Sequence, residues 1–176
     1  MSSVVISGDT SGSITLAAPA VAGTNTITLP ASTGTIMVNG PAFSAYMGTD
    51  TSLSSNTYTK IPIDTEDFDT NNNFASNRFT PTVAGYYQIS GGVNITSTST
   101  GLCYINIYKN GSLYKRGNQI PNTTGNYVLT NISVLVYMNG STDYLELYAL
   151  QSSAVTLTMN SGSTASYFTG AMIRSA

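Results

Sequence analysis

The stretch that decides the fold runs from Phe68 to Val93 and reads FDTNNNFASNRFTPTVAGYYQISGGV. It divides into an Asn-rich turn, a short Arg78-Phe79-Thr80 strand, and a longer strand opened by Ala84-Gly85-Tyr86-Tyr87. Asn and Gly mark turns because they tolerate left-handed backbone, whereas aromatic and β-branched residues fit a pleated, half-buried surface. Parity within the second strand assigns its faces. Tyr87, Ile89, Val93 and Ile95 fall on one side of a period-two pattern and are predicted to point into a core, while Tyr86, Gln88 and Ser90 take the opposite side.

The same period governs the rest of the chain, and no window of useful length carries a helical 3.6-residue stripe. In Tyr127 to Met138, residues Val128, Ile132, Val134, Val136 and Met138 form an apolar face broken at Thr130. Tyr127, Asn131, Ser133 and Tyr137 form the other face. Leu145, Leu147 and Ala149 alternate with Tyr144, Glu146 and Tyr148, where Glu146 stands without an evident charged partner. Asn110-Gly111, Gly125-Asn126 and Asn139-Gly140 separate these runs as hairpin turns require. Short alternating strands at this spacing predict an antiparallel sandwich or barrel.

Upstream lie PAFSAY (Pro41 to Tyr46) and a Pro-containing strand over Lys60 to Asp64. Downstream lie INIYKNGSLY, VLVYMNGSTDYLEL and the closing YFTGAMI (Tyr167 to Ile173). Taken in this order with the central stretch, the segments resemble the C1q/tumour-necrosis-factor-like domain over roughly residues 41 to 176. The resemblance implies an all-β, ten-stranded jelly-roll sandwich that works as a homotrimer. It also implies that the side bearing Tyr86 and Gln88 faces the threefold axis, with Tyr167 near it. Two departures from the family pattern stand out: Gly140-Ser141-Thr142-Asp143 where Gly-Asp is usual, and Gly91-Gly92 in place of larger strand residues.

Residues 1 to 40 read differently. Val4-Val5-Ile6, Ser13 to Leu16 and Thr24 to Leu29 are β-like pieces separated by Gly- and Pro-containing turns, and they are too small to close a core. The wording SGDTSGSITLAAPAVAGTNTITLPASTGTI resembles a segment of tail-fibre and other structural proteins of tailed bacteriophages. That implies an extended N-terminal β arm attaching a globular tip to other virion proteins.

Composition narrows the function classes. The 176 residues are 41 % hydrophobic, enough for one sizeable core, and only 8 % charged. Ser and Thr number 49 and Asn 16, so solubility rests on hydroxyl and amide groups. The net charge is -2, with six scattered Lys and Arg. That argues against a phosphate-tracking patch and against nucleic acid as a partner. MSSVVISGDT lacks the basic and apolar regions of a signal peptide, and no stretch approaches the length of a membrane span. The expected localisation is the virion, after synthesis in a host cytoplasm, with no membrane insertion. The sequons at Asn94, Asn110, Asn122, Asn131 and Asn139 are then expected to stay unmodified.

Catalysis has few candidates. There is no His, and the one cysteine, Cys103, sits in an apolar alternation as a buried structural thiol, so histidine triads, Cys-His dyads and ordinary zinc sites are excluded. The acidic cluster Asp64, Glu66, Asp67 and Asp69 could pair carboxylates for glycoside hydrolysis or offer oxygen ligands to Ca²⁺. Its spacing is not that of a Ca²⁺ loop, and the better reading is a solvated turn. The expectation is no catalytic residue, no cofactor and no obligatory metal. Twelve Tyr against five Phe suit interfaces and sugar-binding surfaces, although strands favour Tyr in any case. These features together read as a trimeric phage fibre or knob binding a host-surface glycan or protein, or as a capsid decoration protein. An extracellular C1q-like module is disfavoured by the missing collagen repeat and signal peptide.

Overall fold

In a computed structural model the described residues are 3–17, 21, 23, 24 and 40–176, and they contain strands but no helix. The chain divides into two units, Met1–Thr35 and Ile36–Ala176.

In the first unit, β1 (Ser3–Ser7) and β2 (Ser13–Ala17) form an antiparallel hairpin. Val4 pairs with Leu16 and Ile6 with Ile14, so four aliphatic side chains share one face, and all four are exposed. The third expected piece, over residues 24–29, lies outside the described residues except for Thr24.

The second unit contains thirteen described strands. They are β3 (Ala42–Tyr46), β4 (Thr51–Leu53), β5 (Thr59–Lys60), β6 (Thr65–Asp69), β7 (Phe74–Ala75), β8 (Arg78–Phe79), β9 (Gly85–Thr96), β10 (Gly101–Lys109), β11 (Ser112–Asn122), β12 (Tyr127–Met138), β13 (Leu145–Gln151), β14 (Leu157–Asn160) and β15 (Tyr167–Ser175). The first sheet is organised on β9. β12 pairs along its whole length, while β15 pairs with Gly85 to Gly92 and β14 with Asn94 to Thr96. β3 and then β6 continue beyond β15, and β4 continues beyond β14. The second sheet runs β11-β10-β13-β8-β7, with β5 also paired to β13. Every ladder within these sheets is antiparallel, as the alternating pattern predicts.

The core lies between the sheets. Tyr87, Ile89, Val93 and Ile95 of β9 face Ile105, Ile107, Leu145, Leu147 and Ala149 of the second sheet, all buried. Phe43 stacks on Phe74 and Phe79 at 5.0 and 4.3 Å and meets Phe168 edge-on at 5.2 Å. Burial of these rings supplies the main stabilisation, at roughly 1.5–3 kcal/mol per large side chain. Tyr87 is wholly buried, yet its hydroxyl donates to the Val83 carbonyl at 2.7 Å, so its polar end is satisfied. At the β10–β11 turn, Asn110 and Gly111 have φ of 53° and 76°, the left-handed pair that a two-residue hairpin needs.

Two expectations are corrected. The strand expected over Lys60 to Asp64 pairs only at Thr59 and Lys60. Pro62 has no N–H to carry the ladder onward, although Ile61 still donates to the Leu147 carbonyl at 2.9 Å and Ile61 and Ile63 are buried. The acidic segment expected as a solvated turn is strand β6, paired with β3 and carrying a bulge between the Phe68 and Glu66 pairs. Solvent-facing carboxylates are tolerated there because β6 is an edge strand.

Candidate functional site

Each sheet turns one face to the core and one to solvent, and the two solvent faces differ in chemistry. On the first sheet, Tyr86 and Gln88 of β9 alternate outward as expected, and the ladder sets Tyr137 opposite Tyr86 and Leu135 opposite Gln88. Leu129 and Tyr127 extend the same face on β12. Tyr86 is 39 % exposed and Leu135 53 %, and the Tyr86 and Tyr137 rings lie 5.5 Å apart. Between these apolar ends, Gln88 Nε2 donates to Ser133 Oγ at 2.8 Å, and the Ser90 and Ser133 hydroxyls are bonded at 3.0 Å. A shallow depression lies across the face, edged by Ala42, Phe68, Ser90, Thr169 and Ala171. β3, β9 and β12 contain no charged residue.

Tyr167 belongs to this face as well, since it pairs with Gly92 on β15. Gly92 stands six residues from Tyr86 along the strand, about 20 Å at the rise of an extended chain. The three residues read as axial therefore share one face but occupy two ends of it. The register also explains the unexpected glycines. A Cβ at Gly92 would meet the Tyr167 ring at 2.9 Å, and one at Gly91 would meet both Leu147 methyls at 2.9 Å. The pair of glycines admits Tyr167 on the outer side and Leu147 on the inner side of the same strand.

The solvent face of the second sheet is ionic and aromatic. Glu146, expected to stand alone, is 3 % exposed, and its Oε1 accepts bonds from Lys60 Nζ at 2.7 Å and Arg78 Nη2 at 2.9 Å. Burial pushes its carboxyl upward, but the Lys60 and Arg78 hydrogen bonds outweigh that and hold it below the usual range. Arg78 lies 3.7 Å over the Tyr144 ring, and Tyr108 stacks on Tyr148 at 4.0 Å. Neither Lys60 nor Arg78 is adjacent to Glu146 in sequence, so only the β5–β13 and β8–β13 pairings reveal the cluster.

The acidic candidates do not converge. Asp64 Oδ1 accepts from the Gly48 amide at 2.8 Å, Asp67 Oδ2 from Ser44 Oγ at 2.8 Å, and Asp69 Oδ2 from the Phe74 amide at 2.6 Å. Glu66 is exposed. Among the described residues no three acidic, Cys or His side chains are grouped to hold a metal ion. The carboxylates instead fasten loops and the β3–β6 edge. Cys103 is wholly buried, and burial pushes its thiol up to about 11, so it is a poor nucleophile at neutral pH.

No family model matches this chain, and no curated protein sequence matches it. Solved structures do match. The globular domain of zebrafish complement 1qA protein superposes with a TM-score of 0.56 at 12 % identity, covering 77 % of this chain and 99 % of that one. Murine APRIL gives 0.55 at 8 % identity, covering 77 % and 100 %. The Eiger TNF from S. frugiperda gives 0.52 at 8 %, covering 78 % and 94 %. At such identity the likeness is one of fold, a C1q/TNF-like jelly roll.

Proposed function

From a C1q/TNF-like jelly roll whose first sheet leaves Tyr86, Leu129, Leu135 and Tyr137 open on its solvent face, we propose a homotrimeric structural protein of a tailed-bacteriophage virion, a binding protein rather than an enzyme. The first sheet packs its solvent face around the threefold axis, the N-terminal hairpin joins the particle, and the knob surface left outside the trimer meets the host. The observation that carries this reading is the exposed set Tyr86, Leu129, Leu135 and Tyr137 on a sheet whose strands β3, β9 and β12 have no charge. Interface cores are enriched in aromatic residues and depleted of charge, as β9 and β12 are here. The exposed Val4, Ile6, Ile14 and Leu16 face supports attachment by the arm, because a two-stranded hairpin is marginal until another surface covers it. The arm's resemblance to phage structural proteins supplies the virion context, and a tail fibre fits it better than a capsid decoration.

Light scattering on the purified protein tests the trimer: the expected mass is three times the 18.4 kDa chain mass, and a monomer at micromolar concentration would overturn it. A cryo-EM map of particles carrying the protein tests the rest. Density at the tail tip is expected, density on the capsid lattice would select the decoration role, and absence from the particle would sink the virion reading.

A further inference from the structure

We propose that the solvent face of the second sheet, centred on Asn106, binds a carboxylate-bearing saccharide. Asn106 lies in β10 opposite Arg116 of β11 and Tyr148 of β13, and directly paired residues present their side chains on one face. It is 1 % exposed, and among the described residues neither its Nδ2 nor its Oδ1 has a hydrogen-bond partner. An unpaired buried amide costs about 1–3 kcal/mol, which an aliphatic residue of similar size would avoid. Asn122, also buried, satisfies its Nδ2 through Ser97 Oγ and the Ser99 carbonyl and leaves only its Oδ1 unpaired, whereas Asn106 leaves both ends unpaired. A donor and an acceptor held unspent beside a pair of stacked tyrosines match what a sugar presents, namely vicinal hydroxyls that each give and take a bond.

The surroundings fit the same occupant. Tyr108 and Tyr148 form the stack beside Asn106, and exposed Tyr58 lies 6.0 Å from Tyr108, supplying ring surface for the apolar side of a pyranose. Arg116 makes one bond, to the Tyr58 hydroxyl at 3.3 Å, and among the described residues no carboxylate is within ion-pair distance of it. Its planar fork is free to turn to a ligand carboxylate, which it can hold with two parallel bonds. Lys60, Arg78 and Arg116 oppose Glu146 alone here, a local excess of positive charge on a chain of net charge -2. A nucleic acid strand would need cations along a track, whereas this face holds one unpaired guanidinium.

This inference deepens the host-binding part of the proposed function. It is read on the isolated full-length protein, so its failure leaves the trimer and the particle location standing, and their failure leaves it standing. Saturation-transfer NMR and calorimetry with trigalacturonate and 3′-sialyllactose provide the test, with lactose, acetate and oligothymidylate alongside. At least one acidic sugar should bind, with lactose and acetate at least tenfold weaker. Arg116→Gln, at an exposed position, should weaken binding tenfold or more. Asn106→Leu should abolish binding while raising the melting temperature, a combination that a purely structural Asn106 would not give. No binding by either acidic sugar, equal binding by lactose or acetate, preference for oligothymidylate, or unchanged affinity in Arg116→Gln would each overturn the proposal. If Asn106→Leu does not fold, the Arg116 variant decides.

Discussion

The two solvent faces of the sandwich rise from the same pleat and both display tyrosine, yet their side chains are satisfied in different ways. On the second sheet Glu146, Lys60, Arg78 and Tyr144 complete one another within a single chain. On the first sheet the Tyr86–Tyr137 pair and Leu135 lie largely open to solvent. A charged cluster that closes its own interactions can remain at the surface. A face that leaves aliphatic and aromatic area open gains free energy by being covered, at roughly 25 cal/mol per Å². The contrast separates the surface expected to meet other copies of the chain from the surface expected to meet something else.

The sharpest way to break this comparison is to put charge on the open face. Leu135→Asp should convert the proposed trimer to a folded monomer, seen as a threefold fall in scattering mass with an unchanged β circular-dichroism spectrum, because a buried unpaired carboxylate at a subunit interface costs several kcal/mol. A trimer that survived would move the interface elsewhere. On the other face, Glu146→Ala should leave the mass unchanged and destabilise the chain by about 1–3 kcal/mol. That is less than for a fully enclosed pair, because Lys60 and Arg78 retain 28 % and 40 % side-chain exposure and can rehydrate. Denaturant melts would show this, and a neutral result would mean that the cluster only fills space.

A smaller effect should appear with pH. Glu146 titrates lower in the folded chain than the ordinary glutamate value of about 4.3. Its contribution is therefore fully present above that value and is lost as pH falls through the folded pKa. The melting-temperature gap between the native protein and Glu146→Gln should hold constant above the ordinary glutamate value and close as the pH falls through the lower folded pKa; a gap that did not narrow in acid would contradict the ion-pair account. The smallest change is expected from EDTA. Asp64, Asp67 and Asp69 spend their oxygens on Gly48, Ser44 and Phe74, so chelation should leave the melting temperature nearly unchanged, and a fall of many degrees would restore the Ca²⁺ reading.

The long strands were legible in the sequence because period two is a local property. The parity of Tyr87 against Tyr86, the apolar side of Tyr127 to Met138, and the Asn110-Gly111 hairpin all follow from residues within a few positions of one another. What was not legible depended on distant partners. Glu146 looked solitary because Lys60 and Arg78 reach it from separations of 86 and 68 residues. Gly91-Gly92 looked only like a departure from the family pattern because the side chains that need the space, Leu147 and Tyr167, arrive from β13 and β15. Segment 65–69 looked like a turn because its acids are poor strand formers, a preference that pairing with β3 overrides. Asn106 gave no local sign, since its significance lies in bonds that it does not make.

The place of β15 between β9 and β3 also imposes an order in time. During synthesis, β3 and β9 are complete long before Tyr167 to Ser175 are made, an interval of several seconds at roughly 5–20 residues per second, and both strands then offer an unpaired edge to other nascent chains. β9 is the longer and more hazardous of the two. Gly91 and Gly92 sit in it as the residues least able to sustain stacked strands, and Gln88, Ser90 and Asn94 keep one of its sides polar. The glycine pair that later seats Tyr167 is thus expected to act first as a brake on aggregation, and Gly92→Val in a chain ending before Tyr167 should aggregate faster than the same fragment with glycine.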